Sequence, residues 1–168
     1  MDEDCLYLNV YSPDVGSGAQ GAPYPVIFYI HDGDFIHGAS QQFPPHQLVA
    51  WYKLVVVTVN FRLGALGFLS TADEYSPGNY GMLDLSLALK WVHDNIRAFN
   101  GDPDRINVVG LGSGAAAAGL LMVRFPQVLI TLYFMWHLGK HEFIFMTACT
   151  KISTLCEECG CYGGGTDC

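Results

Sequence analysis

The stretch Gly110–Gly119, which reads GLGSGAAAAG, is where this sequence shows the clearest sign of chemistry. It follows the β-branched run Ile106–Val109 and opens an alanine-rich segment, which predicts a strand, a glycine turn and a helix. Two kinds of site use this arrangement. In one, backbone N–H groups at a helix N-terminus bind a pyrophosphate. In the other, a sharp elbow between strand and helix presents a nucleophilic serine.

For dinucleotide binding, Gly110, Gly112 and Ala115 match the pattern G-x-G-x-x-G/A. That motif also requires an acidic residue about 20 positions further on, at the end of the next strand. The next candidate strand, Val128–Phe134, is followed by Met135 and Trp136 and offers no acid. The sequence therefore argues against a bound nucleotide, and we expect no cofactor.

For a nucleophile elbow of the form G-x-S-x-G, Gly110 and Gly114 are the outer glycines. The central position, where the serine belongs, is Gly112, and Ser113 comes one residue late. Glycine adopts the strained backbone of an elbow easily, but it has no side chain to attack a substrate. In an elbow, the residue at position 113 contributes its backbone N–H to an oxyanion.

Composition restricts the partners and the location of the chain. Its 168 residues are 51% hydrophobic, and the net charge is −8 with eight Lys and Arg residues, so we expect a folded domain with no nucleic-acid partner. The acidic start, Met1–Asp4, lacks the pattern of a signal peptide, and the longest apolar run, Val128–Leu138, is too short to span a bilayer.

The histidines and the group Cys156, Cys159 and Cys161 lack the spacing of a complete metal site, so no metal site is predicted.

Buried strands alternate with helical segments along the chain, which predicts an α/β protein with a mainly parallel sheet. Within Tyr80–Phe99, Leu83, Leu87, Trp91 and Ile96 recur at helical spacing, and we expect the apolar stripe they form to be widened by Leu85, Leu89 and Val92. Residues 14–23 read as the loop of a hairpin-like connection, and residues 62–77 as irregular. The predicted strands are Leu6–Tyr11, Pro25–Ile30, Leu54–Val59 and Ile106–Val109, and the helices are His46–Tyr52, Tyr80–Phe99 and Ala115–Met122.

Five ordered segments then point to one family. They are EDCLYLNVYSP (3–13), PVIFYIHDGDF (25–35), VVVTVNFRLGALGFLS (55–70), GNYGMLDLSLALKWVHDNIRAFNGDP (78–103) and INVVGLGSGAA (106–116). Together they resemble the type-B carboxylesterase/cholinesterase family. The resemblance implies an incomplete α/β-hydrolase fold, with a mixed, mostly parallel sheet and flanking helices. It covers residues 1–122, which we interpret as a partial, N-terminal piece of the family's domain.

The resemblance also shows where this chain departs from active enzymes. They read G-E-S-A-G at the elbow, whereas this chain has Gly110-Leu111-Gly112-Ser113-Gly114. Their oxyanion stretch is H-G-G-G, and here it is His31-Asp32-Gly33-Asp34, where Asp34 would bring a carboxylate beside a site built for negative charge. Both elements are therefore interpreted as vestigial, and no residue is assigned a catalytic role. His31 is expected to be structural.

The non-catalytic branch of the family contains the neuroligins and the gliotactin-like proteins of cell junctions, and this chain resembles it. The resemblance implies a catalytically inactive domain of a cell-adhesion protein that is extracellular or anchored at the plasma membrane. Its partner would be a protein in trans or a second copy in a homodimer. The alternative is a truncated or degenerate carboxylic-ester hydrolase of the same family.

The resemblance also leads to expectations for three further residues and for the C-terminal tail. Arg62 and Asp84 correspond to a buried ion pair, and Cys5 to a disulfide cysteine whose partner lies upstream. The resemblance ends near Met122, where the composition changes abruptly. We hypothesise that residues 123–168 are an unrelated tail translated from a retained intron.

Overall fold

The computed structural model describes residues 4–13, 23–124 and 129–130. Their strands are β1 (Leu8–Tyr11), β2 (Tyr24–Ile30), β3 (Val55–Val59), β4 (Gly101–Gly110) and β5 (Leu129–Ile130). Their helices are α1 (His46–Tyr52), α2 (Gly64–Phe68), α3 (Tyr80–Asn95) and α4 (Ser113–Arg124), with short 3-10 turns at Ser40–Gln42 and Ile96–Phe99.

These strands form a mixed sheet in the order β1-β3-β2-β4-β5. β1 runs antiparallel to β3, and every other pair is parallel. The predicted α/β fold with a mostly parallel sheet and flanking helices is confirmed. The expected hairpin-like connection between β1 and β2 is wrong, because β3 lies between these two strands. The predicted loop itself lies almost entirely outside the described residues.

The main core lies on one face of the sheet, under α3 and α4. Alternate residues of β2, namely Val26, Phe28 and Ile30, point to this face and are fully buried, as the period of two in a strand requires. Continuous apolar runs such as VVVTV in β3 reflect burial on both faces. On the opposite face, Asn9 of β1 donates hydrogen bonds to Thr58 and Ser40.

The buried face of α3 coincides with only part of the predicted stripe. Leu83, Leu87 and Trp91 are wrongly predicted to be buried, since they are 49%, 69% and 39% exposed. The rest of the stripe, Leu85, Leu89, Val92 and Ile96, is buried in the core together with Met82. Apolar residues with helical spacing occur on both sides of this helix, so periodicity alone could not select the side that meets the sheet.

Other differences concern the ends of elements. The segment predicted to be irregular contains the short helix α2, and β4 begins five residues before the predicted strand. The long helix ends at Asn95 and continues as a 3-10 turn, which Asn100 terminates in the left-handed conformation at φ 63°. α4 begins at Ser113 and continues to Arg124, two residues past the predicted domain boundary at residue 122.

An ion pair between Arg62 and Asp84 joins the segment after β3 to α3. Arg62 donates from Nε to Oδ2 over 2.8 Å and from Nη2 to Oδ1 over 2.7 Å, and its backbone N–H donates to Oδ2 over 3.1 Å. The guanidinium lies 5.2 Å from the ring centroid of Tyr80. The Asp84 side chain is 11% exposed but that of Arg62 is 39% exposed, so the pair is partly rather than fully buried.

We expect Asp84→Ala to lower the free energy of unfolding by about 1.5–3 kcal/mol, because it removes three charge-assisted hydrogen bonds. Lys90→Ala is the matched control. It breaks the exposed 2.7 Å pair with Asp94 and is expected to have a much smaller effect, because solvent screens this pair. Urea unfolding of both variants measures the difference. Equal effects would show that the Arg62–Asp84 pair does not fix the position of α3.

Candidate functional site

The site lies where the order of the strands reverses. From β2 the chain passes to β3 on one side, whereas from β4 it passes to β5 on the other side. In an open parallel sheet, ligands bind in the crevice at the carboxyl ends of two strands related in this way. Ile30 and Gly110 are register partners, so the loops that follow β2 and β4 begin side by side.

The glycine turn after β4 has the shape of an elbow. At its apex, Gly112 has a φ of +51°, in the left-handed region where side chains are disfavoured. Its carbonyl accepts hydrogen bonds from the N–H groups of Ala115 and Ala116, which begins α4. A Cβ at Gly114 would collide with the backbone carbonyl of Ile30, so glycine there lets the helix pack directly against β2.

The loop after β2 is strained. His31 is buried and stacks on Phe61 with ring centroids 4.8 Å apart. Its Nδ1 lies 2.8 Å from the carbonyl oxygen of Asp32, and because a carbonyl can only accept, this nitrogen carries the proton. Asp34 and Phe35 both have positive φ, at 54° and 60°, which is uncommon for residues other than glycine.

The Asp32 carboxylate joins the two loops. Its Oδ1 accepts hydrogen bonds from the N–H of Gly33 over 2.7 Å and from the N–H of Ser113 over 2.9 Å. The Ser113 hydroxyl donates to the same oxygen over 2.9 Å. In an α/β-hydrolase, the oxyanion donors are the N–H after the nucleophile and N–H groups of this loop. An internal carboxylate therefore occupies the donors that an oxyanion would use.

Two opposing effects set the pKa of Asp32. Partial desolvation of the carboxylate raises its pKa, but the hydrogen bonds from Ser113, Gly33 and Asp34 together outweigh it, and the pKa lies below the usual value for aspartate. Asp32 also helps to raise the pKa of the neighbouring Tyr29 phenol, although burial is the larger cause there. Asp32 is therefore ionised at neutral pH.

The structure brings together His31–Asp34 and Gly110–Gly114, the two segments that the sequence interpreted as vestigial. The carboxylate among the oxyanion donors belongs to Asp32, whereas the sequence had pointed to Asp34. The only available signal was that Asp32 stands where the family's pattern has glycine. Arg62 and Asp84 bind each other and make no described contact with this site. Cys5 lies on the segment before β1, is exposed, and forms no disulfide with any residue that the structure describes.

No group of three His, Cys, Asp or Glu side chains within the described part of the chain could hold a metal ion. Across residues 4–13, 23–124 and 129–130, no helix is both long and apolar enough to cross a membrane. The two loops of the site are therefore a turn with Gly112 at its apex and a loop whose Asp32 carboxylate accepts hydrogen bonds from the N–H groups of Gly33 and Ser113.

The fold and this pair of loops define a carboxylesterase-type α/β domain. The profile of the family described as "Carboxylesterase family" matches residues 1–129, and the chain belongs to that family.

Both neuroligin-type proteins and ester hydrolases are among the relatives that match the chain. It is 50% identical to neuroligin-like protein glit-1 of Caenorhabditis elegans over 122 residues, which cover 73% of this chain and 16% of that protein. Against mouse neuroligin-3 the identity is 42%, over 71% of this chain and 17% of the relative. Mouse acylcarnitine hydrolase is 44% identical over 70% of this chain and 20% of the relative. The chain thus spans a fifth or less of the length of these curated relatives.

Asp32→Asn tests the charge at the site. Since folding lowers the pKa of Asp32, its ionised form stabilises the folded state above about pH 4, and this contribution is lost as the pH falls through the folded pKa. At pH 7, we expect the variant to be less stable by about 0.3–1 kcal/mol, because asparagine keeps an acceptor oxygen but removes the negative charge near the N-terminus of α4. The difference should narrow below about pH 4.

Urea unfolding of both proteins between pH 2.5 and 7 measures this pH dependence. Asp34→Asn, on the same loop, is the control and should not reproduce it. The other described groups near Asp32, the Tyr29 phenol and the buried His31, are unchanged in both variants. A constant difference across the pH range would mean that the Asp32 charge does not stabilise the fold.

Proposed function

We propose that this chain is part of a catalytically inactive carboxylesterase-family domain whose role is protein binding in cell adhesion. The observation that carries the proposal is the geometry at Gly112. The apex of the elbow has no side chain, and the space beside it holds the Asp32 carboxylate. Without a nucleophile at the apex, an acyl-enzyme cannot form there.

Hydrolysis of carboxylic esters is the second candidate, since the Ser113 hydroxyl donates to a carboxylate and one relative is named as an acylcarnitine hydrolase. The electrostatics argue against it. A carboxylate with a lowered pKa is a poor base, and Asp32 is held by the same N–H groups that would have to stabilise the substrate's oxyanion. Ser113 is therefore assigned to the structure of the turn.

The proposed partner is a protein in trans or a second copy of the domain. The support is the similarity to neuroligin-3 and to neuroligin-like glit-1, together with the resemblance to the junctional branch of the family. On the same grounds, we propose that the whole protein is extracellular or anchored in the plasma membrane. We assign it no nucleic-acid partner and no small-molecule cofactor.

We also propose that the family domain ends near residue 122 and that residues 123–168 come from a retained intron. The family match extends to residue 129 and α4 continues to Arg124, so the boundary itself needs a direct test. Sequencing of the spliced transcript across the codons for Leu121–Phe125 provides it. A transcript that encodes residues 123–168 between two regular splice junctions would overturn the intron origin.

With an activated ester such as p-nitrophenyl acetate, we expect no burst of product and no acylated serine. The burst is measured by stopped-flow absorbance and the acylation by peptide mass spectrometry. Ser113→Ala is the matched control, because it removes the hydroxyl and leaves the backbone donor in place. A stoichiometric burst that disappears in Ser113→Ala would revive the hydrolase alternative.

For the adhesion role, we expect cells that display the whole protein to aggregate with each other or with cells that carry a protein partner. Diisopropyl fluorophosphate should not change this aggregation, because binding uses no activated serine. Cells without the protein are the control. Failure to aggregate with either kind of cell would count against adhesion but would leave the kinetic test unaffected.

A further inference from the structure

We infer that the Asp32 carboxylate is a built-in substitute for an oxyanion. It fills a latent anion site made by the N–H groups of Gly33 and Ser113, and it occupies the space that a Cβ at position 112 would need. This inference rests on the proposed inactivity and deepens it. It predicts a second obstacle to catalysis beside the missing nucleophile, namely that Asp32 already occupies the N–H groups that would bind a substrate's oxyanion. It does not depend on the proposed role in adhesion.

The donors come from loops far apart in the sequence. Gly33 follows β2, whereas Ser113 begins α4, and Ser113 and Asp32 are 81 positions apart. Convergent backbone N–H groups at the start of a helix form a site for an anion. Here the anion belongs to the chain itself, and the Ser113 hydroxyl supplies a further hydrogen bond to it.

The Asp32 carboxylate also fills the space next to Gly112, above the turn. A Cβ built at Gly112 would collide with both carboxylate oxygens and the Cγ of Asp32. The carboxylate thus occupies the volume that a nucleophile's Cβ would need. A serine at position 112 would have to displace Asp32 from its hydrogen bonds, or the turn would have to move. The inference therefore predicts that Gly112→Ser alone does not create a working elbow.

Stability measurements on paired variants test the steric part. We expect Gly112→Ala to lower the urea midpoint strongly in the wild-type background, and much less when combined with Asp32→Ala, which removes the carboxylate. Gly64→Ala is the matched control: its φ of +56° is close to that of Gly112, but no atom lies within 4 Å of the added Cβ. Its effect should be the same in both backgrounds.

Asp32→Asn keeps the volume of the side chain and provides a second variant if Asp32→Ala fails to fold. In this background, Gly112→Ala should cost as much as in the wild type. Additive effects of Gly112→Ala and Asp32→Ala, like those of Gly64→Ala, would overturn the inference. So would a Gly112→Ala cost in the Asp32→Asn background that falls well below the wild-type value.

An anion titration tests the latent site, with acetate as the probe. In Asp32→Ala, added sodium acetate should shift the amide resonances of Gly33 and Ser113 saturably, whereas sodium chloride at the same ionic strength should not. In the wild-type chain, neither amide should respond, because Asp32 already holds the donors. Equal saturable binding to both chains, or binding to neither, would contradict the inference. These outcomes are distinct from the burst assay, which tests the proposed inactivity.

Discussion

The parallel pairing of β2 with β4 is the constraint on which this structure depends. It places Ile30 beside Gly110, so that the loops after the two strands begin next to each other. The chain then leaves β2 toward β3 and leaves β4 toward β5, in opposite directions along the strand order, so a crevice opens between the two loops. The close approach of Gly114 to the Ile30 carbonyl then sets how near α4 lies to β2, and with it the position of the Ser113 donors relative to Asp32.

The strands could be predicted because they are short, apolar and β-branched. A run such as VVVTV in β3 has few alternatives to a strand that is buried on both faces. The orientation of α3 could not be predicted in the same way. Apolar residues lie on both of its sides, and the buried side is set by contacts with the sheet and by the pairing of Asp84 with Arg62. Such tertiary contacts leave no periodic signal in the sequence.

The candidate site was predictable in its outline and not in its central contact. Spacing and residue type were enough to predict a strand, a tight turn with Gly112 at its apex and a helix. The loss of a nucleophile at this turn stays a prediction. The hydrogen bonds between Asp32 and Ser113 depend on two loops that meet through the sheet. Sequence alone could show that Asp32 departs from the family's pattern. It could not show whether this carboxylate turns toward the donors or toward solvent, which depends on the strained backbone of Gly33, Asp34 and Phe35.

The absence of a side chain at Gly112 and the position of the Asp32 carboxylate are physically linked. Considered alone, the φ of +51° at Gly112 disfavours a side chain, but a small residue that tolerates a positive φ could replace the glycine. Beside Asp32 a side chain is disfavoured further, because a Cβ at this position would overlap the carboxylate unless Asp32 or the turn moved. The carboxylate in turn is retained by N–H groups that point into this space whether or not a substrate is present. The turn therefore keeps backbone donors positioned for an anion, and the anion that these donors bind in this structure is a carboxylate of the chain itself.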